Sequence, residues 1–291
     1  MCIIKIMDNI NSNFREKFNE IIKNNNFSEI GEHNSVIKRI KNIISNTKPN
    51  KEKFFIADGI WAQNRILETN TNIDALIICP ECVYTNEAVM IIEKLMQKTT
   101  NCYVVSKKTY EKIAERDKPD GLMSIAKLPM PEIAKFKPHK KSIILVLDGI
   151  EIPGNIGTML RACDGAGVEA VFICNRRARL THPKLIKGSM GAVLTIPMYE
   201  FEDVASCYKF LEDNNYTIFL ADTRAKNTYF TQRYPDHTAF VMGNERHGIS
   251  REWYTYPVEM ISIPMLGKCD SLNVGVSATI LIYDASMKIN S

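Results

Sequence analysis

The sequence predicts an α/β protein of two unequal units, the second built on a mostly parallel sheet covered by helices on both faces. Apolar, strand-like runs alternate with segments of helical periodicity along both halves of the chain, which is the pattern of βαβ units. A stretch rich in lysine and proline, over 127–141, separates the halves. At 291 residues, with 45% apolar and 24% charged residues, the chain is long enough for two packed cores.

The N-terminal half starts with apolar residues at helical spacing over 10–24, so we expect a helical extension over 1–30. A small α/β unit over 31–126 follows. Its predicted elements are, in order, helix 33–45, strand 53–59, helix 60–69, strand 73–79, helix 86–99 and strand 101–106. Three prolines and five lysines then predict a linker over 127–141.

The second unit is expected over 142–291, where strands and helices alternate again. Its predicted strands are 142–149, 169–174, 216–222, 238–243 and 259–264. Its predicted helices are 156–167, 182–190, 202–213 and 273–288. Ligands of such sheets bind beyond the carboxyl ends of the strands, so the loops that follow the strands are the first places to look for a site.

Composition favours a cytoplasmic protein without a metal centre. No run of about 18 apolar residues occurs, and the apolar start of the chain is too short, and broken by Lys5, for a signal peptide. Among eight cysteines, only Cys79 and Cys82 have the spacing of a metal or redox motif. A second such pair is missing, so we expect reduced thiols and no zinc site.

The charge is divided unevenly between the halves. Residues 1–141 hold 23 Lys and Arg against 17 Asp and Glu, a balance of +6, whereas residues 142–291 hold 14 against 16, a balance of −2. A basic half suits a polyanionic partner, because phosphates neutralised by lysine and arginine release counterions. Lysine-rich helices are also ordinary solvated surfaces, so charge alone leaves nucleic-acid binding open.

Polar residues follow the first strand of the second unit, in the segment DGIEIPGNIGTMLRACDGAG over 148–167. Its five glycines fit neither the GxGxxG spacing of dinucleotide-binding loops nor the GxxxxGK[ST] spacing of P-loops, which excludes a nucleotide-dependent oxidoreductase of that kind. Asn155 and Arg161 are the candidate functional residues here. The alternative is structural: an asparagine that stabilises a turn, and an arginine that pairs with Asp164 three residues on.

Two further loops repeat the pattern of a strand end followed by glycine and polar residues. Gly243, Glu245 and Gly248 follow the fourth predicted strand, and a glycine at a strand end lets a ligand approach the backbone. After the fifth strand, Ser271 is predicted as a helix N-cap. With Asn273 it places two neutral hydrogen-bonding groups at a helix N-terminus.

Taken together and in this order, the three loops resemble the motifs of the SpoU family of RNA 2′-O-ribose methyltransferases. The motifs are NIGxxxR from Asn155 to Arg161, GxExxG from Gly243 to Gly248, and IPMxG followed by SLNV between Ile263 and Val274. The family belongs to the SPOUT class, so the resemblance implies an α/β fold with a deep trefoil knot near the C-terminus. The first half resembles the family's L30e-like module, which implies an RNA substrate-binding domain over 31–126.

The resemblance also implies a cofactor, partners and roles for individual residues. The cofactor is S-adenosyl-L-methionine (AdoMet), held between the second and third motifs, and the partners are RNA and a second copy of the chain in a homodimer. The implied catalytic residues are Asn155, Arg161, Glu245, Ser271 and Asn273. The implied cofactor-binding residues are Met242, Gly243, Gly248, Ile263, Met265 and Leu272, with Gly243, Ile263 and Leu272 as backbone contacts.

The resemblance implies in-line attack of a ribose 2′-oxygen on the AdoMet methyl group. A free guanidinium is too basic to accept a proton near neutral pH, so we expect Arg161 to fix the target phosphate and stabilise the forming 2′-oxyanion. The other four catalytic candidates would orient Arg161, the ribose and the loops. We favour 23S rRNA as the substrate. The alternatives are a tRNA methyltransferase and a non-catalytic RNA-binding protein of the same fold.

Overall fold

The computed structural model describes residues 18–23, 25–114 and 118–291. It divides the chain into two compact units, Met1–Leu128 and Pro129–Ser291. Residues 18–23 are helical, and the rest of the predicted helix over 10–24 lies outside the described residues. None of the helices in the described part of the chain is long and apolar enough to cross a bilayer.

The N-terminal unit is a five-stranded sheet flanked by helices. Its strands are β1 (Ser28–Glu29), β2 (Phe54–Asp58), β3 (Ile73–Ile78), β4 (Cys102–Val104) and β5 (Leu122–Lys127), in the spatial order β1-β4-β3-β5-β2. Its helices are α1 (Ser35–Ser45), α2 (Ile60–Glu68), α3 (Asn86–Met96) and α4 (Lys107–Glu111). The elements predicted from 33 to 106 are all present, whereas β1, β5 and the short α4 were not predicted.

Strand β5 makes this sheet mixed rather than parallel. It lies antiparallel to both β2 and β3, while β4 pairs in parallel with β1 and β3. One apolar face of α1, formed by Ile37, Ile40 and Ile43, packs into a core under the sheet. Cys79 and Cys82 are buried free thiols in that core. The pKa of the Cys79 thiol is raised, mainly because the thiol is buried.

The C-terminal unit is a six-stranded sheet in which every strand pair is parallel. The strands are β6 (Ser142–Asp148), β7 (Ala170–Cys174), β8 (Met198–Glu200), β9 (Thr217–Ala221), β10 (His237–Met242) and β11 (Glu259–Ile261), in the order β11-β9-β10-β6-β7-β8. The helices are α5 (Pro153–Ala166), α6 (Pro183–Gly188), α7 (Ala192–Thr195), α8 (Val204–Asp213) and α9 (Val274–Asn290). The predicted parallel α/β sheet is thus confirmed, with β8 and α7 as unpredicted additions. The trefoil knot stays a prediction.

The segment expected as a linker packs against the second unit. Lys127 still belongs to β5, and the boundary between the units falls after Leu128. Further on, the ring of Phe136 meets Phe172 and Tyr199 edge-on, with ring centroids 5.8 and 5.4 Å apart. Aromatic side chains bury a large apolar area in such contacts, so this part of the segment is held against the sheet rather than acting as a free tether.

The strand order decides where a ligand can bind. Because all strands of the second sheet are parallel, the loops after β9, β10 and β11 leave the same edge. β6 lies next to β10, so α5, which begins five residues after β6, starts beside these loops. This edge brings the three predicted motifs together.

Candidate active site

A cavity of about 660 Å³ opens at the carboxyl edge of the C-terminal sheet. It is bounded by the loops after β9, β10 and β11 and by the first turns of α5 and α9. The cavity lining includes all six predicted cofactor-binding residues, Met242, Gly243, Gly248, Ile263, Met265 and Leu272. Four of the five predicted catalytic residues also line it: Asn155, Glu245, Ser271 and Asn273.

The loop after β10 folds back on itself. The backbone of Asn244 exchanges two hydrogen bonds with Gly248, both of 2.9 Å, and Gly248 adopts a left-handed backbone with φ of 69°. A Cβ on Gly243 would collide with the backbone of Gly248 and Ile249, so only glycine permits this closure. The closed loop aims the Glu245 side chain at the start of α5.

Asn244, which the sequence analysis did not single out, fixes this loop. It is buried, and its amide donates to the carbonyl of Gly149 at 2.7 Å. Its side-chain oxygen accepts from the backbone N–H groups of Arg246 and His247 at 2.9 and 3.0 Å. From the sequence, Asn244 looks like any asparagine in a loop. Its role depends on hydrogen bonds to backbone groups of two different loops, which the sequence does not show.

One chain of hydrogen bonds joins all three motifs. The Asn155 amide donates to Glu245 Oε1 at 2.9 Å, and the Asn273 amide donates to Asn155 Oδ1 at 3.1 Å. Glu245 also accepts from the backbone N–H groups of Glu151 and Ile152. Residues separated by up to 118 positions in sequence are therefore held together at the cavity, which the sequence could suggest only through the resemblance.

The helix N-cap is Asn273, and the prediction of Ser271 as the cap is wrong. Asn273 Oδ1 accepts from the backbone N–H of Gly275 at 2.9 Å, whereas Ser271 is exposed and donates to the carboxylate of Asp270. Both residue types favour capping. Asn273 caps the helix with its side-chain oxygen while its amide donates to Asn155, and Ser271 lies in the cavity lining.

Arg161 lies apart from the cavity on the exposed side of α5. Within the part of the chain that the structure describes, its side chain makes no hydrogen bond or ion pair, and the alternative pairing with Asp164 does not form. Asp164 instead accepts from Thr195 Oγ1 at 3.0 Å. Arg161 and Gly154 share one face of α5, as residues seven apart do, and a Cβ on Gly154 would meet open space. The guanidinium is therefore available to a ligand outside the cavity.

The loop after β9 supplies lining residues that the sequence analysis missed: Asp222, Thr223 and Arg224, with Tyr254 from a 3-10 turn beside them. Asp222 is only 8% exposed. The pKa of Asp222 lies well below its ordinary value. The hydrogen bond from the Arg224 side chain lowers it most and the one from Tyr254 lowers it further, against the opposing effect of burial. No glycine follows the segment TIFLAD, so the pattern that marked the other loops is missing here. The position of β9 between β10 and β11 makes its loop part of the site.

Glu245 is ionised at neutral pH. Burial opposes its charge, but the hydrogen bonds from Asn155 and from backbone N–H groups outweigh burial and hold the pKa of Glu245 below its ordinary value. A carboxylate whose folded pKa is lowered stabilises the fold above its unfolded pKa, and this stabilisation is lost as the pH falls through the folded value.

We therefore expect Glu245→Gln to destabilise the protein at pH 7 by on the order of 1 kcal/mol. The difference from the wild type should shrink as the pH falls through the lowered pKa of the folded-state carboxyl, because the wild-type carboxyl then takes up its proton too. Urea unfolding midpoints between pH 3.5 and 7 measure it. A difference that stays constant over this range would contradict the role of the ionised carboxylate.

Comparison with known proteins assigns both units. The SpoU rRNA Methylase family profile matches residues 142–283, and the MRM3-like substrate binding domain profile matches residues 34–124. A crystal structure of an RNA 2′-O ribose methyltransferase aligns over 90% of this chain and 99% of its own, with 26% identity and a TM-score of 0.75. An AdoMet-bound rRNA methyltransferase from Sinorhizobium meliloti covers 89% and 97%, with 20% identity and a TM-score of 0.80, which speaks for the fold.

Curated relatives agree with this assignment over about half of the chain. The 23S rRNA (guanosine-2′-O-)-methyltransferase RlmB of Salmonella typhi is 33% identical over 147 residues, which are 50% of this chain and 60% of the relative. A putative TrmH family tRNA/rRNA methyltransferase of Staphylococcus saprophyticus is 34% identical over 151 residues, 52% and 61% of the two chains. The chain thus matches about three fifths of the length of these relatives.

The parallel sheet, with its polar cavity between three strand-end loops and the last helix, has the fold of the SPOUT methyltransferases. More narrowly, residues 142–283 form a domain of the SpoU rRNA methylase family, and residues 34–124 match the MRM3-like substrate-binding domain.

Proposed function

We propose that the protein transfers a methyl group from AdoMet to a ribose 2′-hydroxyl of RNA. The observation that carries the proposal is the hydrogen-bonded chain from Glu245 through Asn155 to Asn273. It joins the three family motifs at the wall of one cavity, and Arg161 is exposed on α5 outside the cavity lining. Similarity to an RNA 2′-O ribose methyltransferase along nine tenths of the chain supports the same reading.

The cavity suits AdoMet in size and chemistry. Its volume of about 660 Å³ falls within the range of about 300–1,000 Å³ for small-molecule sites. Met242, Ile263 and Leu272 offer apolar surface for an adenine ring, and the missing side chain of Gly243 exposes backbone at the strand end. AdoMet would supply a methyl group already activated by its sulfonium charge.

The residues around the cavity would supply alignment and charge stabilisation. Arg161, free of protein partners in the described structure, would contact the phosphate next to the target ribose and stabilise the developing 2′-oxyanion. Glu245 keeps Asn155 oriented by accepting from its amide. Asn155 and Asn273 then place neutral polar groups where the ribose meets the cavity, and the 2′-hydroxyl proton passes to solvent or a neighbouring base.

The substrate we favour is 23S rRNA. RlmB of Salmonella typhi is named for that substrate, and the separate substrate-binding domain over 34–124 suits a large folded RNA. The Staphylococcus saprophyticus relative is named for tRNA or rRNA, so tRNA is the second candidate. A protein that binds RNA without methylating it is the third.

A homodimer forms part of the proposal. Val276, Tyr283 and Met287 recur at intervals of seven and four residues, which places them on one face of α9. Each is at least 40% exposed. Exposed apolar residues gathered on one face mark interaction surfaces, and a second copy of the chain is the partner expected here. Light scattering of the purified protein would show twice the mass of 33.1 kDa.

The proposal is tested by mapping ribose methylation in cells with and without the gene. We expect one or more 2′-O-methyl sites in 23S rRNA to disappear on deletion and to return when the wild-type gene is restored. Purified protein with tritiated AdoMet should then label the same site in unmodified RNA. Loss of a tRNA site instead would establish the second candidate, and unchanged rRNA and tRNA would favour the non-catalytic protein.

A further inference from the structure

We propose that Arg224 binds the carboxylate of the methionine moiety of AdoMet, and that Asp222 and Tyr254 hold it in position for this contact. The inference rests on the proposed function, since it concerns the cofactor of that reaction. It adds a recognition group from the loop after β9, which lies outside the three motifs.

The loop after β9 lies between the loops after β10 and β11. β9 lies between β10 and β11 in the sheet, so its carboxyl end emerges between the two loops whose residues are expected to hold the cofactor. The Asp222 backbone N–H donates to the carbonyl of Ile261 at 3.0 Å, which ties the loop to the end of β11. Asp222, Arg224 and Tyr254 all line the cavity.

The carboxylate of Asp222 is fully occupied by its protein partners. Oδ1 accepts from the backbone N–H and the Nε of Arg224 at 2.8 and 3.0 Å. Oδ2 accepts from Arg224 Nη2 at 2.7 Å and from the Tyr254 hydroxyl at 2.5 Å. A carboxylate has about four acceptor positions, so Asp222 has none left for a ligand and serves to orient Arg224 and Tyr254.

Arg224 keeps donors available to a ligand. Nε and Nη2 are engaged, whereas Nη1 makes no hydrogen bond within the described residues, and the side chain is 79% exposed. The guanidinium also lies 5.8 Å from the centre of the Tyr254 ring. Because two of its nitrogens are already fixed, binding a ligand through the third loses less side-chain entropy than ordering a free arginine.

The chemistry of the cofactor selects the partner of this cation. The carboxylate is the one anionic group of AdoMet, and guanidinium–carboxylate hydrogen bonds are among the strong, charge-assisted kind. Arg246 is the other arginine in the cavity lining. It is exposed and makes no ion pair among the described residues, so nothing holds its side chain in place for the contact.

The test compares AdoMet with decarboxylated AdoMet, which lacks only the carboxylate, by isothermal titration calorimetry. We expect the wild type to prefer AdoMet by about tenfold or more. Arg224→Gln should bring that preference close to one while leaving the affinity for the decarboxylated compound within about threefold. Arg246→Gln removes the same charge from the same cavity lining and should leave the preference intact.

The outcomes separate the inference from the proposed function. If the wild type binds neither compound, the proposed function fails. If both compounds bind but Arg224→Gln weakens them equally, or if Arg246→Gln abolishes the preference, the assignment to Arg224 is wrong. Weaker RNA binding by Arg224→Gln with an unchanged preference would overturn it in favour of a phosphate contact. Arg224→Lys keeps the charge opposite Asp222 and, if the glutamine variant does not fold, should still lower the preference several-fold.

Discussion

Arg161→Ala is expected to lower the rate of methyl transfer by about a hundredfold or more, the size of effect seen when one group that stabilises a developing oxyanion is removed. Affinity for AdoMet should stay within about twofold of the wild type. The two effects separate because Arg161 is exposed on α5 and does not line the cavity. Transfer of tritium from AdoMet to RNA measures the first effect, and calorimetry measures the second.

Two further variants show whether the loss is specific to Arg161. Arg161→Lys keeps the charge but lacks the planar guanidinium, so we expect it to recover only part of the rate. Lys187→Ala removes an exposed cation from α6, which packs against α5, and should change the KM for RNA by a few fold without lowering kcat. Transfer by Arg161→Ala within tenfold of the wild type would contradict the assigned role.

The sequence predicts the parallel sheet well because each of its longer strands is an unbroken apolar run. β6, β7 and β10 are buried along nearly their whole length, and such runs need no alternation to be recognised. β5 has a buried serine in its middle. Ser124 donates to Gln63 Oε1 at 2.6 Å, so a polar residue satisfied by a distant partner interrupts the pattern on which the prediction relied.

The cavity-lining residues that the sequence pointed to follow strand ends with local signals, whereas those it missed depend on the order of the strands. The loops after β10 and β11 carry glycine and asparagine signals that stand out locally. The contribution of Arg224 depends on β9 lying between those strands, which no local pattern reports. The misplaced N-cap has a similar cause: Asn273 is selected by its bond to Asn155, a contact across 118 residues.

Gly157 of the first motif lies where the backbone of α6 approaches α5 closely. A Cβ on Gly157 would lie 2.7 Å from the carbonyl oxygen of Leu185 and 3.0 Å from backbone atoms of Gly188 and Ser189. These are main-chain atoms of α6 and its C-terminal end, so they cannot turn aside as a side chain could. We expect Gly157→Ala to lower the free energy of unfolding by about 1–3 kcal/mol, measured by urea denaturation of the full chain.

Gly154→Ala is the matched control, three residues earlier in the same helix. A Cβ there meets nothing within 4 Å, so alanine should leave stability unchanged or raise it by up to about 1 kcal/mol, as removal of an exposed helical glycine does. Equal losses in the two variants would contradict a specific clash between a Cβ at Gly157 and the backbone of α6. A lower free energy of unfolding for Gly157→Ala, with no loss for Gly154→Ala, would mean that the close approach of α5 and α6 requires Gly157. Asn155, which reaches Glu245, lies on this same helix.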